Sequence, residues 1–439
     1  MRLLVISFAF PPYNSIGGVR VGKTVKYLSQ FGHDIRVLTA RDQPFRPTLP
    51  VEFPEQQITY SKWLTLRRVA PQGTVEPSNA STGNSNSPAS GKLKSTLKKA
   101  LGYPYRTLLN FPDSNIGWLP YAVADASRLL EKWKPELIFA SSPPPTSLLV
   151  AHRLSKKFNV PWVADLRDLW IDHPYYEQPG WRKVLEEKLE RRVLSSAAGL
   201  VTVSEPLAQI LKKKYGTEAA VILNGFDAPD YPSKRETPLD KNKLRILYTG
   251  MIYPGKRDPS PLFEALLKMG ALAEKVRVVF HGFFLESAKE LAKKYGVEHL
   301  VEVNGSVTYA ESLKMQTEAD ILLLLLWSDA TERGVYTGKL FEYIGARRPI
   351  LAVGGVNSVA ADMIRERSLG AALDDPAQIA AQLEEWVKQK QETGRIPALP
   401  DEAVAGVSRE EQTRILEDYF FRLLGARGQS SVDLIQAGD

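Results

Sequence analysis

Lys339 and Glu342 stand three residues apart in GVYTGKLFEYIG (334–345), which follows the hydrocarbon run ILLLLLW (321–327) after six residues. On a helix starting near Thr337 or Gly338 they would share one face, with Leu340, Phe341 and Ile344 on the buried one. First-turn N–H groups lack intrahelical acceptors and can bind phosphate, and a Glu beside them can accept two hydrogen bonds from a vicinal diol such as ribose. The same pair also reads as a Glu placed for the helix dipole, with Lys339 as its ion-pair partner.

Three further clusters carry chemistry. In YTGMIYPGKRDPSPLFEAL (248–266), Lys256 and Arg257 follow a strand that ends at Gly250. Two adjacent cations there suit a diphosphate leaving group, and they also read as solvated loop charges. In FPPYNSIGGVRVGKTVKYL, Gly17 and Gly18 lie between a first strand and a helix beginning near Val19. Paired glycines admit close approach of a ligand to the backbone, or simply meet the geometry of a tight turn. DLRDLWIDH (165–173) holds Asp165, Arg167, Asp168, Asp172 and His173. An Arg among carboxylates with a His nearby can orient an acceptor hydroxyl or serve as a base, or it can be an Arg–Asp lock that shapes the loop.

The elements that must position these groups alternate strand and helix. Strands are expected at 2–8, 34–39, 136–141, 161–166, 199–204 and 219–224, then again at 244–250, 276–282, 300–305, 320–326, 349–354 and 369–374. Continuous apolar runs separated by helical patterns mark parallel strands covered on both faces. At 439 residues the chain exceeds one ordinary core, so two doubly wound, Rossmann-like domains are expected. An N-terminal domain would span 1–225 and a C-terminal one 244–408, joined by a linker at 226–243 that contains the polar PSKRETPLDKNK. A helix at 409–425 and a tail at 426–439 would follow. Ligands in such sheets bind at the carboxyl ends of strands, where all four clusters fall.

Residues 71–91 have almost no large apolar side chain and read as a flexible loop. The following segment, 92–110, is basic and amphipathic: Leu93, Leu97, Ala100 and Leu101 recur at helical spacing, with Lys on the other side. Of the net charge of +7, Lys92, Lys94, Lys98, Lys99 and Arg106 supply +5 between Ser81 and Phe111, where no acidic residue occurs. That segment could contact an anionic membrane surface, or pack on the core with a solvated Lys face. Nucleic acid is not an expected partner, because the charge is confined and not interleaved with aromatics. The absence of Cys excludes disulfides, thiolate metal sites and a Cys nucleophile. No secretory signal and no apolar run near 20 residues occurs, so a cytoplasmic location is expected, peripheral on the inner face of the plasma membrane. Neither a Rossmann G-x-G-x-x-G nor a P-loop is present, and no D-x-D or His/Asp spacing suggests a metal cage.

Read in order, PPYNSIGG, GHDIRVLT, PWVADLRDLW, VTVSEPL, ILNGFD, YTGMIYPGKR and GKLFEYIGARRPILAVG resemble a GT4-type glycosyltransferase of GT-B fold. The resemblance covers both domains, apart from about residues 60–95 and the tail after Gly425. It implies two Rossmann-like domains facing a central crevice and a retaining, metal-independent hexosyltransferase. The donor would be a nucleotide-diphosphate sugar, UDP- in preference to GDP-, with no cofactor. The acceptor would be a glycan or lipid-linked glycan in cell-surface polysaccharide biosynthesis. Glu342 matches the second Glu of the family's E-x7-E motif, which binds the donor ribose. Thr337, Gly338, Lys339 and Leu340 would place amides near the diphosphate, and Lys256 would stabilise it as it leaves. Gly17 and Gly18 match the N-terminal glycine loop, and Asn224 and Gly225 the NG beside the crevice. Residues 409–425 match the helix that crosses back to the first domain.

This chain departs from the pattern in three places. Gly334 stands at the first Glu, with Glu332 two residues earlier. Met251 stands where the family often has Arg, leaving Arg257 as the second cation. Ser141 and Ser142 stand where many members have a His that touches the donor sugar. Gly334 and Met251 keep open a non-catalytic nucleotide- or sugar-binding module, and a nucleotide-sugar epimerase of the same fold is a lesser rival.

Overall fold

The computed structural model describes residues 1–64, 110–174, 176, 178–232, 240, 242–253 and 255–436, with side chains to residue 425. The expected loop at 71–91 and, apart from Asn110, the basic segment at 92–110 lie outside these residues.

Among them are thirteen strands: β1 Arg2–Ser7, β2 Asp34–Ala40, β3 Ile58–Ser61, β4 Leu137–Ser142, β5 Trp162–Leu166, β6 Gly199–Thr202, β7 Ala219–Val221, β8 Leu244–Met251, β9 Val276–Phe283, β10 Val301–Asn304, β11 Ile321–Leu325, β12 Ile350–Val353 and β13 Gly370–Leu373. They form two parallel sheets, ordered β3-β2-β1-β4-β5-β6-β7 and β10-β9-β8-β11-β12-β13. All twelve expected strands are present, with ends shifted by up to three residues; β3 was not foreseen. Between them run α1 Ile16–Gln30, α2 Leu119–Lys132, α3 Thr146–Phe158, α4 Gly180–Leu194, α5 Glu205–Tyr215, α6 Ser260–Lys268, α7 Glu286–Lys294, α8 Tyr309–Glu318, α9 Gly338–Ala346, α10 Val359–Glu366, α11 Pro376–Thr393, α12 Asp401–Val404 and α13 Arg409–Gln436.

Residues 1–200 and 201–439 form two compact units. In the first, Leu3, Leu4, Val5 and Ile6 of β1 are wholly buried, as a central strand covered on both faces must be. In the second, the hydrocarbon strand β11 divides its side chains between two cores. Ile321, Leu323 and Leu325 join one cluster, while Leu322 and Leu324 join the cluster that also holds Leu340, Phe341, Tyr343 and Ile344 of α9. That division explains the absence of alternation in ILLLLLW: neither face of this strand meets water.

Each sheet reverses its strand order once, between β1 and β4 and between β8 and β11. Loops at the carboxyl ends of strands flanking such a reversal diverge to opposite faces and leave room for a ligand. Gly17–Gly18 and Ser141–Ser142 lie beside the first reversal; Gly250 and Trp327 lie beside the second.

Candidate functional site

In the second unit, α9 begins at Gly338 with Thr337 as its N-cap. Thr337 Oγ1 accepts from the Lys339 amide at 3.4 Å, and its carbonyl accepts from the Leu340 amide at 3.2 Å. Two of the four amides expected to face a diphosphate are therefore engaged at the cap. Those of Thr337 and Gly338 meet no acceptor among the described residues.

One turn on, Lys339 Nζ donates to Glu342 Oε2 at 2.8 Å, and Gln316 Nε2 of α8 reaches the same oxygen at 3.1 Å. Both contacts end on Oε2; Oε1 has no hydrogen-bond partner among the described residues. Gln316 is wholly buried, and its Nε2 also lies 3.1 Å from Thr249 Oγ1 and from Ser312 Oγ. From the other side, the Tyr231 hydroxyl donates to the Glu342 carbonyl at 2.7 Å. Gly345 makes this contact feasible, since a Cβ there would lie 2.5 Å from the Tyr231 oxygen. Burial, then the charge of Glu342, hold the Tyr231 phenol well above its ordinary pKa, so it remains a donor. Glu342 is thus fixed at its backbone and at one carboxylate oxygen, and its other oxygen is available.

Gly250 belongs to the same cluster. Its φ is +151°, and a Cβ there would come 3.4 Å from both Lys339 Cε and the Tyr248 hydroxyl. Beside it, a Cβ at Gly282 would fall 1.7 Å from the Gly250 carbonyl oxygen, so the ends of β8 and β9 approach as only glycines permit.

The two cations after β8 take different directions. Lys256 Nζ stands 4.6 Å from the centre of the Trp327 ring, on the segment leaving β11. Arg257 turns back on β8, donating to the Met251 carbonyl at 3.4 Å with its guanidinium over Tyr253. Burial lifts the Tyr248 phenol to about 12, with Arg257 acting against that rise.

Where the first Glu of E-x7-E was sought, Gly334 is buried, and its carbonyl accepts from Ser204 Oγ at 2.6 Å. A Cβ there would press on Pro206 and Leu207 at 3.3 Å. Glu332 lies in the preceding turn, with a buried Oε1 that has no hydrogen-bond partner among the described residues. Asn224 is buried, and Gly225, at φ +67°, lies against residues 407–409: Phe226 donates to the Val407 carbonyl and accepts from the Arg409 amide.

In the first unit the densest polar group is arranged differently from expectation. Asp165 does bond an Arg, but the partner is Arg20 of α1, through Nε to Oδ2 at 3.2 Å and Nη2 to Oδ1 at 3.0 Å. Ser141 Oγ adds a bond to Oδ2 at 2.7 Å, and all three side chains are buried. A carboxylate so enclosed has no geometry for accepting a substrate proton. Arg167, by contrast, lies flat against Gly17, where a Cβ would be 2.6 Å from its Nη2. Its amide donates to the Ser142 carbonyl, its Nη2 reaches the Pro143 carbonyl at 3.4 Å, and its buried Nε has no partner among the described residues. Burial lowers its pKa against the opposing charges of Asp168 and Asp165. Gly18 donates to Ser15 Oγ, the N-cap of α1. His173 Nε2 stands 3.9 Å from Asp168 Oδ1 on the partly exposed rim of this loop.

Sequence reasoning missed Arg20, Gln316 and Tyr231. Only Gln316 left a local signal, as a polar residue three after Leu313 on the inward side of α8.

The model of Glycosyltransferase Family 4 matches residues 80–229, part of which lies outside the described residues. Among solved structures, HepE of Anabaena, in complex with UDP-glucose, shares 15% identity at a TM-score of 0.59, covering 95% of this chain and 99% of that one. A glycosyltransferase of Rickettsia africae shares 16% at 0.59, covering 96% and 98%. Sucrose-phosphate synthase of Thermosynechococcus elongatus shares 15% at 0.54, covering all of both chains. At these identities the likeness is one of fold. No curated protein matches the chain in sequence.

Proposed function

We propose that this chain is a GT4-type glycosyltransferase with the GT-B fold, and that it transfers a hexose, with retention and without a metal, from a nucleotide-diphosphate sugar to a hydroxyl of a glycan or lipid-linked glycan. The observation that carries this reading is Glu342, held through Oε2 by Lys339 and Gln316 with Oε1 unpartnered, one turn from the open amides of Thr337 and Gly338. A carboxylate oxygen and free amides at that spacing suit a ribose hydroxyl and a phosphate of one nucleotide.

In the reaction the acceptor oxygen bonds to the anomeric carbon on the face from which the nucleotide departs. The bond to the phosphate oxygen breaks with its electron pair, and the acceptor proton passes to the departing diphosphate. This chain's part is electrostatic: Lys339, Lys256 and Arg257 offset the charge that develops on the diphosphate. The absence of any D-x-D supports the metal-free reading, which unchanged turnover in EDTA would test. UDP is favoured as the nucleotide by the UDP-glucose of the fold neighbour HepE. The first unit is assigned to the acceptor, with Arg167, Asp168 and His173 as its polar contacts.

A role in polysaccharide biosynthesis at the inner face of the plasma membrane, with residues 92–110 toward anionic lipid, accords with the charge of that segment. It also accords with the lack, among the described residues, of any helix long and apolar enough to cross a membrane. Glu342→Ala tests the donor assignment by calorimetric titration with UDP, GDP and ADP. Loss of affinity in a folded protein is expected; unchanged affinity would remove Glu342 from the site. Release of nucleoside diphosphate in the presence of an acceptor separates the transferase from a binding module, and product formed without acceptor would identify an epimerase.

A further inference from the structure

Helix α4 is inverted. Its inward side carries charge: Arg182, Glu186 and Glu190 are almost wholly buried, together with Val193 and Leu194. The charges are satisfied there. Arg182 pairs with Glu186 and donates to the carbonyls of Asn110 at 2.8 Å and Pro112 at 2.7 Å, and Trp170 Nε1 donates to Glu186 at 3.2 Å. Three large apolar side chains of the same helix point outward, with Trp181 48%, Val184 53% and Leu185 47% exposed. An amphipathic surface helix of a globular protein has the opposite arrangement.

The outward side is ordered along its length. At about 100° per residue, Trp181, Val184, Leu185, Lys188, Arg191 and Arg192 fall on one side, and the last three are exposed. The first two turns of that stripe are apolar and the last two basic. It contains no carboxylate, since Glu186 and Glu190 face inward and the partly exposed Glu187 sits on the flank.

We infer that this face of α4 docks on an anionic lipid surface, the apolar turns entering the headgroup boundary and the basic turns pairing with lipid phosphates. A second copy packing antiparallel through the same face would lay its apolar turns on the basic turns of the first and leave those charges without counter-ions, which disfavours self-association. The inference does not rest on the donor site or on the charge of residues 92–110.

The full chain is sedimented with vesicles of phosphatidylcholine alone and with phosphatidylglycerol added. Binding is expected only with the anionic lipid. Trp181→Ser/Val184→Ser/Leu185→Ser should weaken it at least about tenfold, and Lys188→Glu/Arg191→Glu/Arg192→Glu about a hundredfold. Both variants should keep the wild-type melting shift with UDP, and a chain lacking 92–101 should retain binding that depends on α4. The inference fails if the α4 variants bind as wild type, or if wild type does not bind anionic vesicles. It also fails if binding does not depend on the anionic lipid, or if the apolar variant instead abolishes dimerisation or capture by an acidic protein without lipid.

Discussion

Two carboxylates, Asp165 near the end of β5 and Glu342 in α9, each sit among a cation and a neutral donor, yet one is closed and the other open. Asp165 spends both oxygens on Arg20 and Ser141 and is shut from solvent. Glu342 commits one oxygen, keeps the other, and is about a quarter exposed, as is Lys339. A closed pair specifies architecture, here the docking of α1 on β5. An open pair, fixed at one oxygen, is built to receive something. The sequence contains both as an acid near a base, and only the count of satisfied oxygens separates them.

The contrast can be broken most forcefully at the closed pair. Asp165→Ala leaves the Arg20 guanidinium buried without its counter-ion and should cost about 3–5 kcal/mol in urea unfolding. A loss under 1 kcal/mol would mean that Asp165 is not enclosed. Glu342→Ala should barely change unfolding but weaken nucleotide binding by about 2 kcal/mol, the value of hydrogen bonds to a charged group. Loss of stability without loss of affinity would reverse the assignment of the two carboxylates. Gln316→Leu removes the amide that fixes Oε2 while preserving side-chain bulk, and about 1 kcal/mol of affinity should be lost. The loss should shrink in a Glu342→Ala background, because the amide acts through the carboxylate.

The smallest effect concerns Glu52, an intermediate case, partly exposed and paired with Lys23 and Lys26. Burial raises its pKa, but the hydrogen bonds and charges of the two lysines outweigh that and hold it below the usual carboxylate range. Its stabilisation is therefore present above the unfolded pKa and lost as pH falls through the lower folded one. Glu52→Gln should cost at most about 1 kcal/mol at pH 7, and the difference from wild type should vanish in acid unfolding at pH 2–3.

Much of the fold was legible because burial on both faces writes strands such as β11 and β12 as unbroken apolar runs. Strand β3 escaped because ITYS is four residues at a sheet edge, with two polar positions among them. At the site, α9 and its Lys339–Glu342 pair were legible because both residues lie within one helical turn. The partners that decide their roles were not: Gln316 is 26 residues from Glu342, Tyr231 is 111, and Arg20 is 145 from Asp165. Spacing rules reach one turn of helix, whereas these contacts are made by tertiary packing. The alternative of an Arg–Asp lock within DLRDLWIDH named no single carboxylate and looked for the cation inside the stretch, whereas Asp165 is locked by Arg20.

The near-collision of β8 and β9 at Gly250 and Gly282 has a consequence for the mutability of the protein. A methyl group at position 282 must displace backbone, and no partner substitution can compensate, because the obstacle is the carbonyl of position 250, which every amino acid carries. In a library of all single replacements, position 282 should be an empty column, unrescued by any second change, whereas a replacement at 250 faces its unusual φ and two side-chain ends that can yield. Glycines on neighbouring strands that look equivalent would then differ in heritable freedom, one a fixed point of the lineage and the other a place where the surroundings of Lys339 can be retuned.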